Sequence, residues 1–221
     1  IVTLLDIPKE KLYNLPIGIA SIDEILSRPF ITDEQAKRVW GFEGKYVIVI
    51  GYNGSPAHNH IKVIKSLVFM KKQLPTNTIL VCPMTYGGNP VYRKKIKRLL
   101  WNSQFENQIL ENYLTAEELV CLRKATDLFI HAQNTDANSG TIAEYLLCRK
   151  KIVNPTWITY PHYETYGSPF YSFSNFEELP QAIMKAINDT SNKVSPLLTG
   201  NISESGWSKL ACKWVELYKK Y

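Results

Sequence analysis

The chain has 221 residues, of which 45% are hydrophobic and 21% charged, a composition typical of a globular protein. No run approaches the ~20 consecutive apolar residues of a membrane-spanning helix, which excludes an integral membrane protein of that kind. The net charge of +6 suits an acidic partner, either a phosphorylated substrate or an anionic membrane surface. Nucleic acid is not expected, because the basic clusters lack interleaved aromatic residues and no nucleic-acid-binding motif is visible.

The cysteines and the N-terminal sequence indicate the cellular compartment of the protein. The cysteines are scattered without a CxxC pair, which predicts free thiols in a reducing compartment (Cys82, Cys121, Cys148 and Cys212). We therefore expect a cytoplasmic protein, with the basic charge favouring peripheral contact at the inner face of a membrane. No signal peptide is predicted. The sequence does not begin with Met, and we interpret it as part of a longer polypeptide.

Strands and helices alternate from residue 45 onward. Strands are predicted at 45–52, 78–83, 108–111, 127–131 and 150–155, and helices at 57–74, 91–101, 115–126, 139–148 and 174–187. This alternation predicts a Rossmann-like α/β fold, a parallel sheet flanked by helices. Ligands in such folds bind beyond the carboxyl ends of the strands, so we expect the loops at this edge to form the site.

The segments before and after the α/β unit do not show this alternation of strands and helices. Residues 1–44 are Pro-interrupted and partly acidic, which indicates a linker or the remnant of an N-terminal domain. The α/β unit spans 45–187, a polar linker is predicted at 188–202, and an amphipathic helix at 203–221.

The segment QNTDANSGTIAEYLL (133–147) carries the strongest functional signal. It joins a buried strand to a helix, and its acids Asp136 and Glu144 are eight positions apart. The start of the helix offers unpaired N–H groups and a positive dipole end to a phosphate. An acid further along the helix can accept hydrogen bonds from sugar hydroxyls. The pattern therefore predicts a nucleotide-sugar site.

The predicted site assigns a role to individual residues, and each role has an alternative explanation that is purely structural. Glu144 is predicted to bind ribose hydroxyls, although a solvated helix glutamate has the same appearance. Ser139, Gly140 and Thr141 are predicted to donate hydrogen bonds to phosphate, although they can equally cap the helix. Asp136 is predicted near the donor sugar or diphosphate, or else forms an Asx turn or an N-cap.

Other loops at the same edge supply further candidates. Gly51, Asn53 and Gly54 are predicted to line the pyrophosphate, although a structural turn explains them nearly as well. Tyr86 is predicted to flank the base, and His131 to form a hydrogen-bonding wall of the cleft. The histidine pair His58 and His60 lacks nearby carboxylates or thiols, so no metal site is predicted.

Several of these stretches resemble the C-terminal donor-binding domain of GT-B glycosyltransferases, over about residues 45–221. The resemblance is carried by YVIVIGYNGS, by LTAEELVCLRKATDLFIHA, and by the two acids, which are similar to an E-x7-E motif with Asp136 in place of the first Glu. GYNGSPAHNH, PMTYGGNPVY and SGTIAEYLL are similar more narrowly to bacterial 4-acetamido-4,6-dideoxygalactosyltransferases. Those enzymes add N-acetylfucosamine to a lipid-linked saccharide of a surface polysaccharide.

The resemblance implies transfer of a sugar from a nucleoside diphosphate to a saccharide or lipid-linked acceptor, with Asp136 as the catalytic residue. It also implies a missing N-terminal domain, without which the chain binds donor but does not turn over. No metal or other cofactor is expected, because no DxD motif is present. A basic residue that follows the first Gly loop in the family is replaced here by polar residues. Two alternatives therefore stay open: a non-catalytic nucleotide-binding domain, or a nucleotide-sugar epimerase of the same architecture.

Overall fold

The structure, a computed structural model, describes residues 12–220 and contains one six-stranded parallel sheet. The strands are β1 (Tyr46–Ile50), β2 (Thr78–Pro83), β3 (Glu106–Leu110), β4 (Leu128–Ile130), β5 (Lys151–Pro155) and β6 (Phe170–Phe173). Their order in the sheet is β3-β2-β1-β4-β5-β6, so the chain reverses its direction of winding between β1 and β4. That switch point is where open α/β sheets form their binding crevice. The predicted fold class is confirmed.

Ten α-helices flank the sheet in the described part of the chain. They are α1 (Ala20–Leu26), α2 (Asp33–Trp40), α3 (His60–Phe69), α4 (Pro90–Asn102), α5 (Ala116–Ala125), α6 (Gly140–Leu147), α7 (Pro161–Glu164), α8 (Leu179–Asn188), α9 (Pro196–Ser203) and α10 (Trp207–Lys220). Short 3₁₀ turns occur at Pro56–His58 and Lys71–Gln73. None of these helices combines the length and apolar character needed to cross a bilayer.

Two hydrophobic clusters pack on opposite faces of the sheet. Alternate residues of β1 divide between them, with Val47 and Val49 in one cluster and Ile48 and Ile50 in the other. Helices α1, α2, α5, α6 and α9 cover the first face, and α3, α4 and α8 cover the second. Both faces are therefore buried, which explains the uninterrupted apolar run of the strand.

The outer segments pack against the α/β unit. Ile22 of α1 and Ala36 of α2 are fully buried in the first cluster. The segment predicted as a polar linker contains α9, whose Leu198 is buried in the same cluster. The Trp214 indole of α10 donates to the Pro16 carbonyl at 2.9 Å. Residues 1–11 of the predicted N-terminal segment and Tyr221 of the predicted terminal helix lie outside the described residues.

Candidate functional site

A cavity of about 230 Å³ lies at the carboxyl edge of the sheet. Its lining comes from the loops after β1, β2 and β3 and from helices α5 and α6: Tyr52, Pro83, Thr85, Tyr86, Tyr113, Leu114, Leu119, Leu122, Arg123, Thr141 and Glu144. Three predicted site residues, Tyr86, Thr141 and Glu144, are therefore brought together. The volume lies somewhat below the ~300–1,000 Å³ of typical small-molecule pockets, so the cavity has room for part of such a ligand.

The mouth of the cavity is aromatic. Tyr86 and Tyr113 stack in parallel, with ring centroids 6.1 Å apart and planes within 7°. They are 45% and 76% exposed, so their faces are available to a flat ligand. Tyr113 follows β3 and Tyr52 follows β1, and neither was predicted from the sequence to belong to the site.

A larger cavity of about 370 Å³ lies between α2 and α5, away from the sheet edge. It is lined by Phe30, Ile31, Gln35, Arg38, Val39, Glu117 and Cys121. None of the predicted site residues reaches it, and its lining is largely apolar. We therefore place the candidate site at the carboxyl edge, where the polar side chains converge.

A buried ion pair forms the floor of the edge cavity. The Arg123 Nε lies 2.7 Å from Glu144 Oε2, with the two side chains 6% and 8% exposed. The guanidinium also lies 4.6 Å from the centre of the Tyr145 ring and donates to its hydroxyl at 3.2 Å. Burial by itself lowers the pKa of Arg123, but Tyr145 and Glu144 outweigh it and raise that pKa above its ordinary value. Arg123 is therefore a fixed cation beside the predicted ribose-binding acid.

Glu144 retains room for a ligand. Its second oxygen, Oε1, accepts a hydrogen bond from the Ser21 hydroxyl of α1. A carboxylate offers about four acceptor positions, so two protein donors leave positions for hydroxyl groups on the cavity side. Ribose binding by Glu144 stays a prediction. In the sequence nothing separates Arg123 from its half-buried neighbour Lys124, and the one signal for Arg123 was its place within the apolar run LVCLRKA.

The start of α6 lies next to the cavity. Ser139 is the N-cap, and its hydroxyl accepts from the Ile142 N–H at 3.4 Å, a long bond. Ser139 thus performs the capping role that was its structural alternative, and Thr141 lines the cavity. Contact between a phosphate and Ser139, Gly140 or Thr141 stays a prediction.

Asp136 lies at the same sheet edge but outside the lining of this cavity. Its Oδ2 accepts from the Tyr160 hydroxyl at 2.8 Å and lies 3.3 Å from His131 Nε2. Burial favours the neutral acid, but the hydrogen bonds from His131 and Tyr160 prevail and hold the pKa of Asp136 below its ordinary value. Asp136 is therefore a positioned carboxylate, and its catalytic role stays a prediction.

His131 is fully buried, and its neighbours fix its orientation. The Asn154 amide nitrogen donates to the carbonyls of Pro155 and Ile158 at 3.0 and 2.8 Å, so Asn154 Oδ1 faces the ring. His131 Nδ1 lies 2.8 Å from that oxygen, and Nε2 lies 3.3 Å from Asp136 Oδ2. Asn154 was not predicted from the sequence, because it lies within a strand rather than in a loop.

The loops after β1 and β2 are joined by a backbone hydrogen bond. The Gly54 N–H donates to the Tyr86 carbonyl at 2.7 Å, and Asn53 Oδ1 accepts from the Ser55 N–H at 2.8 Å. Gly51 has a φ of +63°, in the region that favours glycine. Contact of Gly51, Asn53 and Gly54 with a pyrophosphate stays a prediction, while their structural role in the turn is evident.

Two buried histidines lie behind this loop. The His58 ring meets the Tyr52 ring edge-on at 4.2 Å, and neither of its nitrogens has a hydrogen-bond partner among the described residues. Burial, aided by His60 and His131, lowers the pKa of His58 to about 3, against the opposing charge of Asp136. Burial likewise lowers the pKa of His60 to about 4, despite the Asn53 backbone. Both histidines are uncharged at neutral pH and supply no cation to a diphosphate.

Replacing His58 with Phe is expected to flatten the pH dependence of stability. The pKa of His58 in the folded protein lies below its ordinary value of 6.5. Between pH 6.5 and about 3, His58 therefore binds a proton in the unfolded chain but not in the folded protein. Stability therefore falls as pH falls through this window, by up to about 1.4 kcal/mol per pH unit for one histidine. His58→Phe should remove the contribution of His58 to that slope and leave the contribution of His60. Urea unfolding at pH 7, 6, 5 and 4 measures it, and equal slopes in both proteins would contradict the assignment.

Comparison with known proteins identifies the fold. No family model matches the chain, and no curated protein matches it in sequence. A glycosyltransferase from Rickettsia africae superposes with a TM-score of 0.70 and 16% identity, over 97% of this chain and 58% of that one. Anabaena HepE, solved with UDP and glucose, superposes with a TM-score of 0.67 and 16% identity, over 95% of this chain and 56% of its own. The chain thus spans a little over half the length of these proteins.

A third structure shows which half is matched. The C-terminal domain of the Francisella tularensis group 1 glycosyl transferase LpcC superposes with a TM-score of 0.59 and 12% identity, over 83% of this chain and 93% of that domain. The fold is therefore that of the C-terminal half of a GT-B glycosyltransferase. At these identities the likeness is one of fold.

Proposed function

We propose that this chain is the donor-binding part of a glycosyltransferase that uses a nucleoside-diphosphate sugar. The observation that carries the proposal is the buried Arg123–Glu144 pair at the floor of an aromatic-rimmed cavity, beside the switch point of the sheet. Binding at this edge is the general rule for open α/β sheets. An acid held by a buried cation matches the hydroxyls of a nucleotide sugar, and the stacked aromatic rings match its base.

Each group of the cavity has a role in this proposal. Glu144 accepts hydrogen bonds from the ribose hydroxyls, and Arg123 holds the carboxylate in place. Tyr86 and Tyr113 stack on the base. The start of α6 faces the diphosphate, and its N–H and hydroxyl groups come from Ser139, Gly140 and Thr141. The loop of Gly51, Asn53 and Gly54 lies on the other side of the diphosphate.

The proposed reaction is a displacement at the anomeric carbon. An acceptor hydroxyl attacks that carbon, the bond to the diphosphate oxygen breaks, and the nucleoside diphosphate departs with the proton that the hydroxyl loses. Dipoles aimed at the departing charge stabilise it, as at the start of α6. Asp136, oriented by His131 and Tyr160, is the proposed catalytic residue at the sugar. A second domain supplies the acceptor side, so we expect this chain alone to bind donor without turnover.

The narrower resemblance supports a more specific proposal. The sugar is N-acetylfucosamine, and the acceptor is a lipid-linked saccharide of a surface polysaccharide, used at the cytoplasmic side of the membrane. Because the sequence lacks a DxD motif, we propose transfer without a metal ion. Activity of a full-length enzyme should then survive chelation.

Calorimetric and thermal-shift titration with UDP, dTDP, GDP and their sugars tests donor binding. One nucleotide should stabilise the fold, by about 2.7 kcal/mol at a concentration of 100 Kd. Glu144→Gln should weaken this nucleotide at least about tenfold, since hydrogen bonds to charged groups contribute ~1.5–3 kcal/mol. Tyr113→Ala, at a residue 76% exposed, should weaken it without changing the melting temperature of the free protein.

Glu117→Gln is the control for loss of one negative charge, because Glu117 is an exposed acid on the neighbouring helix α5. It should leave nucleotide affinity unchanged. Absence of binding by every nucleotide, or equal losses in Glu117→Gln and Glu144→Gln, would contradict the proposed site.

A further inference from the structure

The outer face of α4 carries a continuous stripe of exposed side chains. Val91, Lys94, Lys95, Arg98 and Trp101 recur at the spacing of one helix face, opposite the buried Ile96 and Leu100. We call these five residues the α4 stripe. Its apolar ends are among the most exposed large side chains of the described chain, Val91 at 79% and Trp101 at 85%.

The positive charge of the α4 stripe is not neutralised within the described residues. Helix α4 contains no acidic residue over its 13 positions. Lys97 pairs with Glu111 at 2.7 Å, and Arg93 donates to the Gly87 carbonyl at 2.7 Å, but both lie off the stripe. Lys94, Lys95 and Arg98 form no ion pair with any described residue. Three cations therefore stand together between two apolar side chains.

The end of α3 lies next to the Trp101 end of α4. The turn after α3 is joined to it, since Lys71 Nζ donates to the carbonyls of Ser103 and Gln104 at 3.2 and 2.6 Å. Phe69, the last residue of α3, is 84% exposed and lines a groove with Phe176 and Pro180, so it is not part of the α4 stripe.

We propose that the α4 stripe docks on an anionic membrane surface. The three cations face anionic headgroups, while Trp101 and Val91 enter the boundary between headgroups and acyl chains. Clustered basic side chains are attracted to anionic headgroups, and Trp is favoured at the depth of the headgroups. A helix of this length measures about 20 Å, and its buried face stays packed on the sheet, so the contact lies on the membrane.

Docking would bring the donor cavity close to the membrane. The loop at 84–89 carries Tyr86 of the cavity rim and leads directly into α4, and Arg93 of α4 bonds the Gly87 carbonyl of that loop. A lipid-borne acceptor in the same membrane would then lie near the donor. This consequence rests on the proposed function, whereas docking itself does not.

Co-sedimentation with vesicles tests the docking without any nucleotide. The chain should bind equimolar phosphatidylcholine and phosphatidylglycerol vesicles at low salt and not phosphatidylcholine vesicles. Binding should disappear near 1 M salt, where the Debye length falls to about 3 Å. Tryptophan emission should shift to shorter wavelength on binding, and Trp101→Phe should remove most of that shift. Absence of a preference for anionic vesicles would overturn the proposal, even if nucleotides bind.

Charge reversal locates the surface. Each basic side chain near an anionic surface contributes about fivefold to partitioning, so Lys94→Glu/Lys95→Glu/Arg98→Glu should weaken binding at least about 100-fold. Lys209→Glu/Lys213→Glu/Lys219→Glu is the matched control, because it changes the net charge equally through exposed lysines of α10. Equal losses of vesicle binding in the two triple variants would show that the overall charge of the protein causes the attraction. That result would overturn the proposal that the α4 stripe is the docking surface. All six positions are exposed, so both variants should melt like the parent chain.

Discussion

Alanine at position 88 is expected to abolish nucleotide binding and to lower the free energy of unfolding by about 2–5 kcal/mol. Gly88 has a φ of +67°, where a side chain costs about 1–2 kcal/mol. Its Cβ would also overlap the carbonyl oxygen and carbon of Gly54. Both partners are backbone, so relief requires separating the loops after β1 and β2, at a cost typical of overpacking, about 1–3 kcal/mol. The same separation would displace Tyr86 from the cavity rim.

Gly44 provides the matched control for Gly88→Ala. Its φ is also +67°, but a Cβ there would meet nothing within 4 Å. Gly44→Ala should therefore cost only the conformational part, about 1–2 kcal/mol, and leave nucleotide affinity unchanged. Urea unfolding and nucleotide titration of both variants measure the difference. If Gly88→Ala costs no more than Gly44→Ala, the two loops are not interlocked as described.

The sheet was largely predictable because its strands are buried on both faces. Runs such as YVIVI and TILVCP contain few residues that suit anything other than a central parallel strand. β6 was missed, since FYSF is short and lies within an aromatic-rich stretch. It becomes a strand by pairing with β5 at the edge of the sheet, a tertiary contact that no local pattern reports.

The candidate site was predictable in position but not in its partners. Parallel strands end at one edge, so loops distant in sequence were expected to converge, as the common cavity of Tyr86, Thr141 and Glu144 shows. The ion pair of Arg123 with Glu144 was not foreseen. Helical periodicity tells which face is buried, but not which side chain on another helix meets it. Ser21, which lies 123 positions before Glu144, is the extreme case.

Breaking the buried ion pair is expected to have the largest effect on stability. Arg123→Met leaves the Glu144 carboxylate buried without its cation, and such a loss typically costs about 3–5 kcal/mol. Urea unfolding at pH 7 measures it, with an unchanged denaturant slope showing that the transition stays two-state. Lys97→Met is the control, because it breaks the exposed Lys97–Glu111 pair, whose side chains are 49% and 45% exposed. That loss should be about 0–1 kcal/mol.

The double variant Arg123→Met/Glu144→Gln distinguishes the loss of stability caused by an unpaired charge from the loss caused by altered packing. With no charge left to compensate, it should be more stable than Arg123→Met alone, because the penalty belongs to the unpaired carboxylate. Nucleotide binding should not recover, since the side chain proposed to bind the ribose is still replaced. Recovery of stability without recovery of binding would assign the pair to the site. If the double variant is no more stable than Arg123→Met, the loss comes from packing of the Arg123 side chain, and the charge argument is wrong.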